Sequence, residues 1–155
     1  AMALASLPPT MDVMCDKPRA ATDFIIPRAM GRAILATGIL LFAVMFVFLV
    51  YCERGNGVDV HELTLFFTVF VMMQWWNLLN AKALGTRQSA FHGLRSDRTL
   101  LMVMGVVLAG QWIIVTFGGK MFRTVPLSLT EWVAVIVATS PVLWVGEAIR
   151  KLKNK

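Results

Sequence analysis

Four long apolar runs, parted by polar and charged segments, dominate the pattern of the chain. Ala33–Cys52, Leu63–Ala81 and Thr99–Gly119 contain no charged residue. Trp132–Gly146 is shorter, and Ala148 and Ile149 extend it past Glu147. A helix rises about 1.5 Å per residue, so about 20 apolar residues cross the hydrocarbon of a bilayer. The pattern therefore predicts an all-α membrane protein. Its four transmembrane helices, in a bundle, run over about residues 31–52, 63–84, 99–118 and 131–149.

The second run differs from the others because its latter half carries Gln74, Asn77 and Asn80. A three-residue step turns a helix by about −60°, so the three amides fan across roughly a 120° sector. An amide turned to lipid leaves donors and acceptors unpaired in hydrocarbon, so that sector is expected to face protein. The third run carries one further amide, Gln111, expected to be buried.

Local signals place the ends of the spans. Residues 1–30 read as a cytoplasmic connector, with Pro8, Pro9 and Pro18 breaking regular structure and Pro27 leading into the first helix. Ala33 and Thr37 form a small-xxx-small pair suited to contact with a neighbour. Tyr51 stands where an interfacial aromatic belongs. Arg54-Gly55-Asn56-Gly57 forms a turn, and Asp59 and Glu62 suit the start of the second helix. Gly85 is a candidate C-cap, and Ser96-Asp97 a candidate cap for the third helix, which Gly118-Gly119 ends. Ser128 or Thr130 caps the fourth helix, Glu131 sits in its first turn, and Ser140-Pro141 kinks it.

Composition supports the membrane reading: 57% of the 155 residues are hydrophobic and 15% charged, with a mean hydropathy of +0.69, too apolar for a soluble domain. The net charge of +6 does not point to nucleic acid, because its distribution follows the spans. Twelve of the 15 basic residues lie before the first span, between the second and third, or after the fourth. Only Arg54, Lys120 and Arg123 lie on the other side. The positive-inside rule then makes both termini and the central loop cytoplasmic. Cys15 and Cys52 fall on opposite sides of that membrane, which excludes a disulfide between them. His61 and His92 read as ordinary loop histidines.

No phosphate-cradling glycine loop, Cys/His cluster or nucleophile–base pair is present, so no cofactor is expected in this chain. The chemistry left is intramembrane polarity: Thr68, Gln74, Asn77, Asn80, Gln111, Ser140 and Glu147. The Gln74 oxygen suits a hard cation such as calcium. It equally suits an interhelical hydrogen bond worth roughly 0.6–2 kcal/mol, the plainer use. Asn77 and Asn80 read as structural. Glu147 is placed to pair with Arg150 or Lys151 one turn on, and Met72-Met73 and Trp75-Trp76 read as packing residues.

Several of these stretches resemble the C-terminal membrane region of P-type calcium-transporting ATPases, closest to the plasma-membrane type. Pro8-Pro9, Asp12, Met14 and Pro18-Arg19 resemble the loop after that family's sixth membrane helix, and Ala1–Leu7 the end of that helix. The segment from Phe70 through Gln74, Asn77 and Asn80 resembles the eighth helix. Gln111–Phe122 and Pro126–Trp132 resemble the ninth helix, the outer loop and the entry to the tenth. The resemblance implies that the four spans are the seventh to tenth helices. It implies that Gln74 stands where the intracellular-reticulum pumps carry a calcium-ligating glutamate. The plasma-membrane type has glutamine there, which brings Gln74 beside an ion site while weakening it as a ligand. Asp12 is implied to help couple the membrane helices to the phosphorylation domain.

The functional expectation is a C-terminal membrane support domain of an ATP-driven calcium pump, packed against and stabilising its ion-transport helices. The chain would not pump alone. The parent would use Mg-ATP and calcium, and the partners would be its upstream helices and cytoplasmic domains together with the lipid bilayer. Two alternatives stand beside it: a freestanding four-helix transporter or assembly protein, and a scaffold that binds no ion. A proton-coupled carrier needs a mid-membrane carboxylate, and Glu147 lies near the end of its span.

Overall fold

A computed structural model describes residues 28–53, 59–83, 89–95 and 97–153. Among them there are six helices and no strand: α1 Arg28–Glu53, α2 Val60–Lys82, α3 Arg98–Phe117, α4 Gly119–Phe122, α5 Leu129–Thr139 and α6 Pro141–Lys153. Four stretches are long and apolar enough to cross a membrane: Met30–Glu53, Val60–Lys82, Arg98–Phe117, and Leu129–Ile149, which joins α5 to α6. Asp12, Cys15, Gly85, Ser96 and the Arg54–Gly57 turn lie outside the described residues.

Two helices, α2 and α5, start on caps where the sequence pattern places them. Asp59 accepts the Val60 amide, and Glu62 reaches back to the Asp59 amide to complete a capping box. Ser128 and Glu131 build a second box at α5. Asp97 is the residue ahead of α3, but its carboxylate turns to Lys82 and caps no amide of its own helix. α3 ends at Phe117; Gly119 (φ +46°), the first residue of α4, and Arg123 (φ +51°), the residue after its last, enter left-handed backbone.

Between α5 and α6, Pro141 has no amide hydrogen to give the Val137 carbonyl four residues back. Ser140 replaces it: its Oγ donates to Val137 O at 2.8 Å and its amide to the same oxygen at 3.2 Å. The span breaks there while the Val137 carbonyl keeps a donor.

α2 is the centre of the bundle and packs against α1, α3, α5 and α6. α1 meets it along a stripe of less exposed residues, Ala33, Thr37, Leu41, Met45, Phe48 and Cys52, at steps of three and four. Phe48 stacks on Phe66 of α2, ring centres 5.9 Å apart. A cluster of Leu41, Met45 and Met73 fills that seam. A second cluster, Leu79, Ala83, Ala90, Leu100, Met104 and Leu143, closes the Lys82 end. Between Ile34 and Tyr51 the opposite face of α1 is apolar and open; Phe42 is 70% and Val47 67% exposed. In water such a face drives aggregation, whereas lipid solvates it at no cost. Cohesion between the spans then depends on close packing and hydrogen bonds, since lipid tails are as apolar as leucine.

Candidate functional site

The polar side chains of α2 divide it into three zones. Near the Val60 end, Thr64 and Thr68 are fully buried. Each hydroxyl donates to the carbonyl one turn back, Thr64 to Val60 at 2.8 Å and Thr68 to Thr64 at 2.7 Å. Each keeps a lone pair for a neighbour: Thr64 Oγ1 accepts the Val125 amide at 3.1 Å, and Thr68 Oγ1 accepts Gln111 Nε2 at 3.3 Å. Gln111 is 97% buried, as a membrane amide must be when it faces protein. At the tip of α2, His61 Nε2 lies 2.6 Å from Glu131 Oε1. The same carboxylate, through Oε2, takes the Ser128 amide and hydroxyl, so one side chain caps α5 and ties it to α2. His61 is thus a helix residue with a partner, not an ordinary loop histidine.

In the middle zone two indoles reach across the bundle. Trp75 Nε1 donates to the Met104 carbonyl of α3 at 3.1 Å, and Trp76 Nε1 to Thr139 Oγ1 of α5 at 3.0 Å. The rings meet edge to face, centres 4.7 Å apart. Four residues on, Asn80 Nδ2 donates to the Val142 carbonyl of α6 at 2.7 Å. Gly146 lets the carboxamide in: a Cβ there would stand 2.2 Å from Asn80 Oδ1. Gln74 is the exception. It is exposed, and none of the described residues bonds its side chain. Asn77 is half-buried and also without a side-chain bond among the described residues. The expectation that the whole amide sector faces protein therefore holds within this chain for Asn80 and not for Gln74. The four neighbouring helices engage the other sides of α2 and leave the strip of Phe70 and Gln74 open.

At the Lys82 end, Lys82 pairs with Asp97, both side chains nearly buried, and its ammonium also donates to the His92 carbonyl at 2.9 Å. Glu147 of α6 accepts the Ala90 amide at 3.3 Å, a contact across the bundle that the one-turn pairing with Arg150 or Lys151 did not foresee. Two carboxylates and one ammonium thus hold Ala90, His92 and Asp97 against the helix ends.

The profile described as "Cation transporting ATPase, C-terminus" matches residues 1–152. The chain belongs to this family. Similar proteins include the calcium-transporting ATPase PAT1 of Dictyostelium discoideum, 31% identical over 98% of this chain. The plasma membrane calcium-transporting ATPase mca-1 of Caenorhabditis elegans is 30% identical over 99%, and the human plasma membrane calcium-transporting ATPase 3 is 30% identical over 96%. The chain spans 13–15% of the length of these relatives. In this cation-transporting ATPase C-terminal region, integral to the membrane, the structure brings Asn80 and Gln111 into interhelical bonds and leaves Gln74 on the surface of the described chain. No group of three or more metal-ligating His, Cys, Asp or Glu side chains occurs among the described residues. Sequence reasoning missed the polar work of Trp75, Trp76, Thr139 and His61. The available signal was chemical: an indole N–H inside a span has no water to bond.

Proposed function

We propose that this chain is the C-terminal membrane support domain of an ATP-driven calcium pump, and that the open strip of α2 is where it meets the ion-transport helices. One observation carries this reading. Gln74 lies about 12 Å along α2 from the Lys82 end, within the apolar depth, and no described residue bonds its carboxamide. An amide left in hydrocarbon costs several kcal/mol, so a mid-membrane partner belongs there. The relatives are several times longer and named as calcium-transporting ATPases, which supports upstream spans of the same protein as that partner.

On this reading Gln74 sits beside the transported calcium or ligates it through its oxygen, and Asn77 bonds the arriving helix. Asp12 couples the membrane helices to the phosphorylation domain. Asn80 and Gln111 hold the support bundle together. Mg-ATP and calcium belong to the parent, and this chain does not pump alone. Both termini and the loop at 83–97 face the cytoplasm, in keeping with the twelve basic residues on that side.

The test is Gln74→Ala in the full-length pump, reconstituted in liposomes, with calcium affinity, turnover and yield measured together. Weakened affinity is the expected result. Unchanged affinity and turnover with reduced yield would make the domain a scaffold without ion contact. No change in any of the three would remove the proposed role of this face.

A further inference from the structure

Gln74 reaches the open strip because its neighbours on α2 are tied elsewhere. Successive helical residues point about 100° apart, so Gln74, Trp75 and Trp76 project in three well-separated directions. Trp75 is bound to a main-chain carbonyl of α3 and Trp76 to the Thr139 hydroxyl of α5. Neither acceptor is free to follow a turning helix. The Met104 carbonyl is part of the α3 backbone. The Thr139 hydroxyl is itself committed, donating to Val135 O at 2.7 Å. The edge-to-face contact of the two rings restricts each one's rotamers.

These ties set the rotation of α2 about its axis at the level of Gln74. A side-chain tip lies about 5–6 Å from a helix axis, so a 20° rotation carries it about 2 Å. That is nearly the length of a calcium–oxygen bond, about 2.3–2.6 Å. A carboxamide that bonds or ligates at this depth loses its partner over such a distance.

We propose that Trp75 and Trp76 are positioning residues for Gln74, and that the calcium affinity of the parent pump depends on their two indole N–H groups although neither reaches the ion. This rests on the reading of Gln74 given above. It adds that the side chain's place is imposed from α3 and α5 on the closed side of the helix.

The experiment uses the full-length pump in liposomes. Trp75→Phe and Trp76→Phe each remove one N–H and keep an aromatic ring. Calcium KM is expected to rise roughly three- to thirtyfold, the worth of one intramembrane hydrogen bond, with turnover changed less than about twofold. In a Gln74→Ala background the same substitutions are expected to leave KM where Gln74→Ala alone put it. Should either tryptophan variant assemble poorly, Thr139→Val removes the Trp76 acceptor with little change of shape and carries the same expectation.

Wild-type KM in the surviving variant pumps, with yield or thermal stability alone reduced, overturns the proposal. So does a KM shift that persists undiminished in the Gln74→Ala background. The two readings fail separately. A KM shift from Gln74→Ala with none from the tryptophan variants removes the positioning role and keeps the Gln74 face. A silent Gln74→Ala removes the face itself, and the positioning role with it.

Discussion

Replacing Gly146 by alanine tests the seam between α2 and α6 at its tightest point. The added Cβ would stand 2.2 Å from Asn80 Oδ1, 2.5 Å from Cγ and 2.6 Å from Nδ2. All three distances are far inside van der Waals contact, so the carboxamide must swing away or α6 must retreat. Swinging away breaks the 2.7 Å bond from Nδ2 to the Val142 carbonyl, worth roughly 0.6–2 kcal/mol between membrane helices. Retreat opens the Leu79–Leu143 packing instead. Either route places the cost of Gly146→Ala at about 1–3 kcal/mol, as for other overpacked sites. Alanine's better helix propensity gives little back, because a span separated in the bilayer is already helical.

The decisive measurement is a double-mutant cycle, read by the intrinsic tryptophan fluorescence of the chain as denaturing detergent is titrated into lipid–detergent micelles. With Asn80→Ala already present there is no carboxamide to strike, and Gly146→Ala is expected to cost less than about 0.5 kcal/mol. The coupling energy between the two sites is then at least about 0.5 kcal/mol. An equal cost of Gly146→Ala in both backgrounds would refute the proposed clash.

Ser140→Ala removes the hydroxyl that serves the Val137 carbonyl in place of Pro141; a loss of about 0.5–1.5 kcal/mol is expected in the same assay, recovered when Pro141→Ala restores the backbone donor. Gln111→Leu breaks the bond to Thr68 and is expected to cost roughly 0.6–2 kcal/mol, with Thr68→Val costing little more in that background. The His61–Glu131 side chains are 42% and 31% exposed, so His61→Ala is expected to cost below about 1 kcal/mol, less at high salt; a larger loss unaffected by salt would show a buried role.

The residues that were legible in the sequence share one property: their partners lie within a turn of themselves, or the partner is the solvent. Asp59 with Glu62 and Ser128 with Glu131 are three apart, so the capping boxes follow from spacing. Ser140-Pro141 breaks the last span because the missing donor belongs to Pro141 itself. Gln111 was readable as buried because lipid offers an amide nothing. His61 and Glu131 are 70 positions apart, and Trp76 and Thr139 are 63 apart; no local pattern joins them. Lys82 reads as a topology marker beside a span, yet it turns inward to Asp97 and draws that carboxylate from the helix it precedes.

The four spans and the family were therefore determined by the order of residues alone, since about 20 apolar residues in a row have one stable course through a bilayer. Which face of each span meets protein was decided only by the assembled bundle. Lipid does not distinguish one apolar face from another, so the choice falls to the few donors that find acceptors on neighbouring helices. Trp75, Trp76 and Asn80 found theirs on α3, α5 and α6, and the same arrangement left Gln74 facing outward from the described chain.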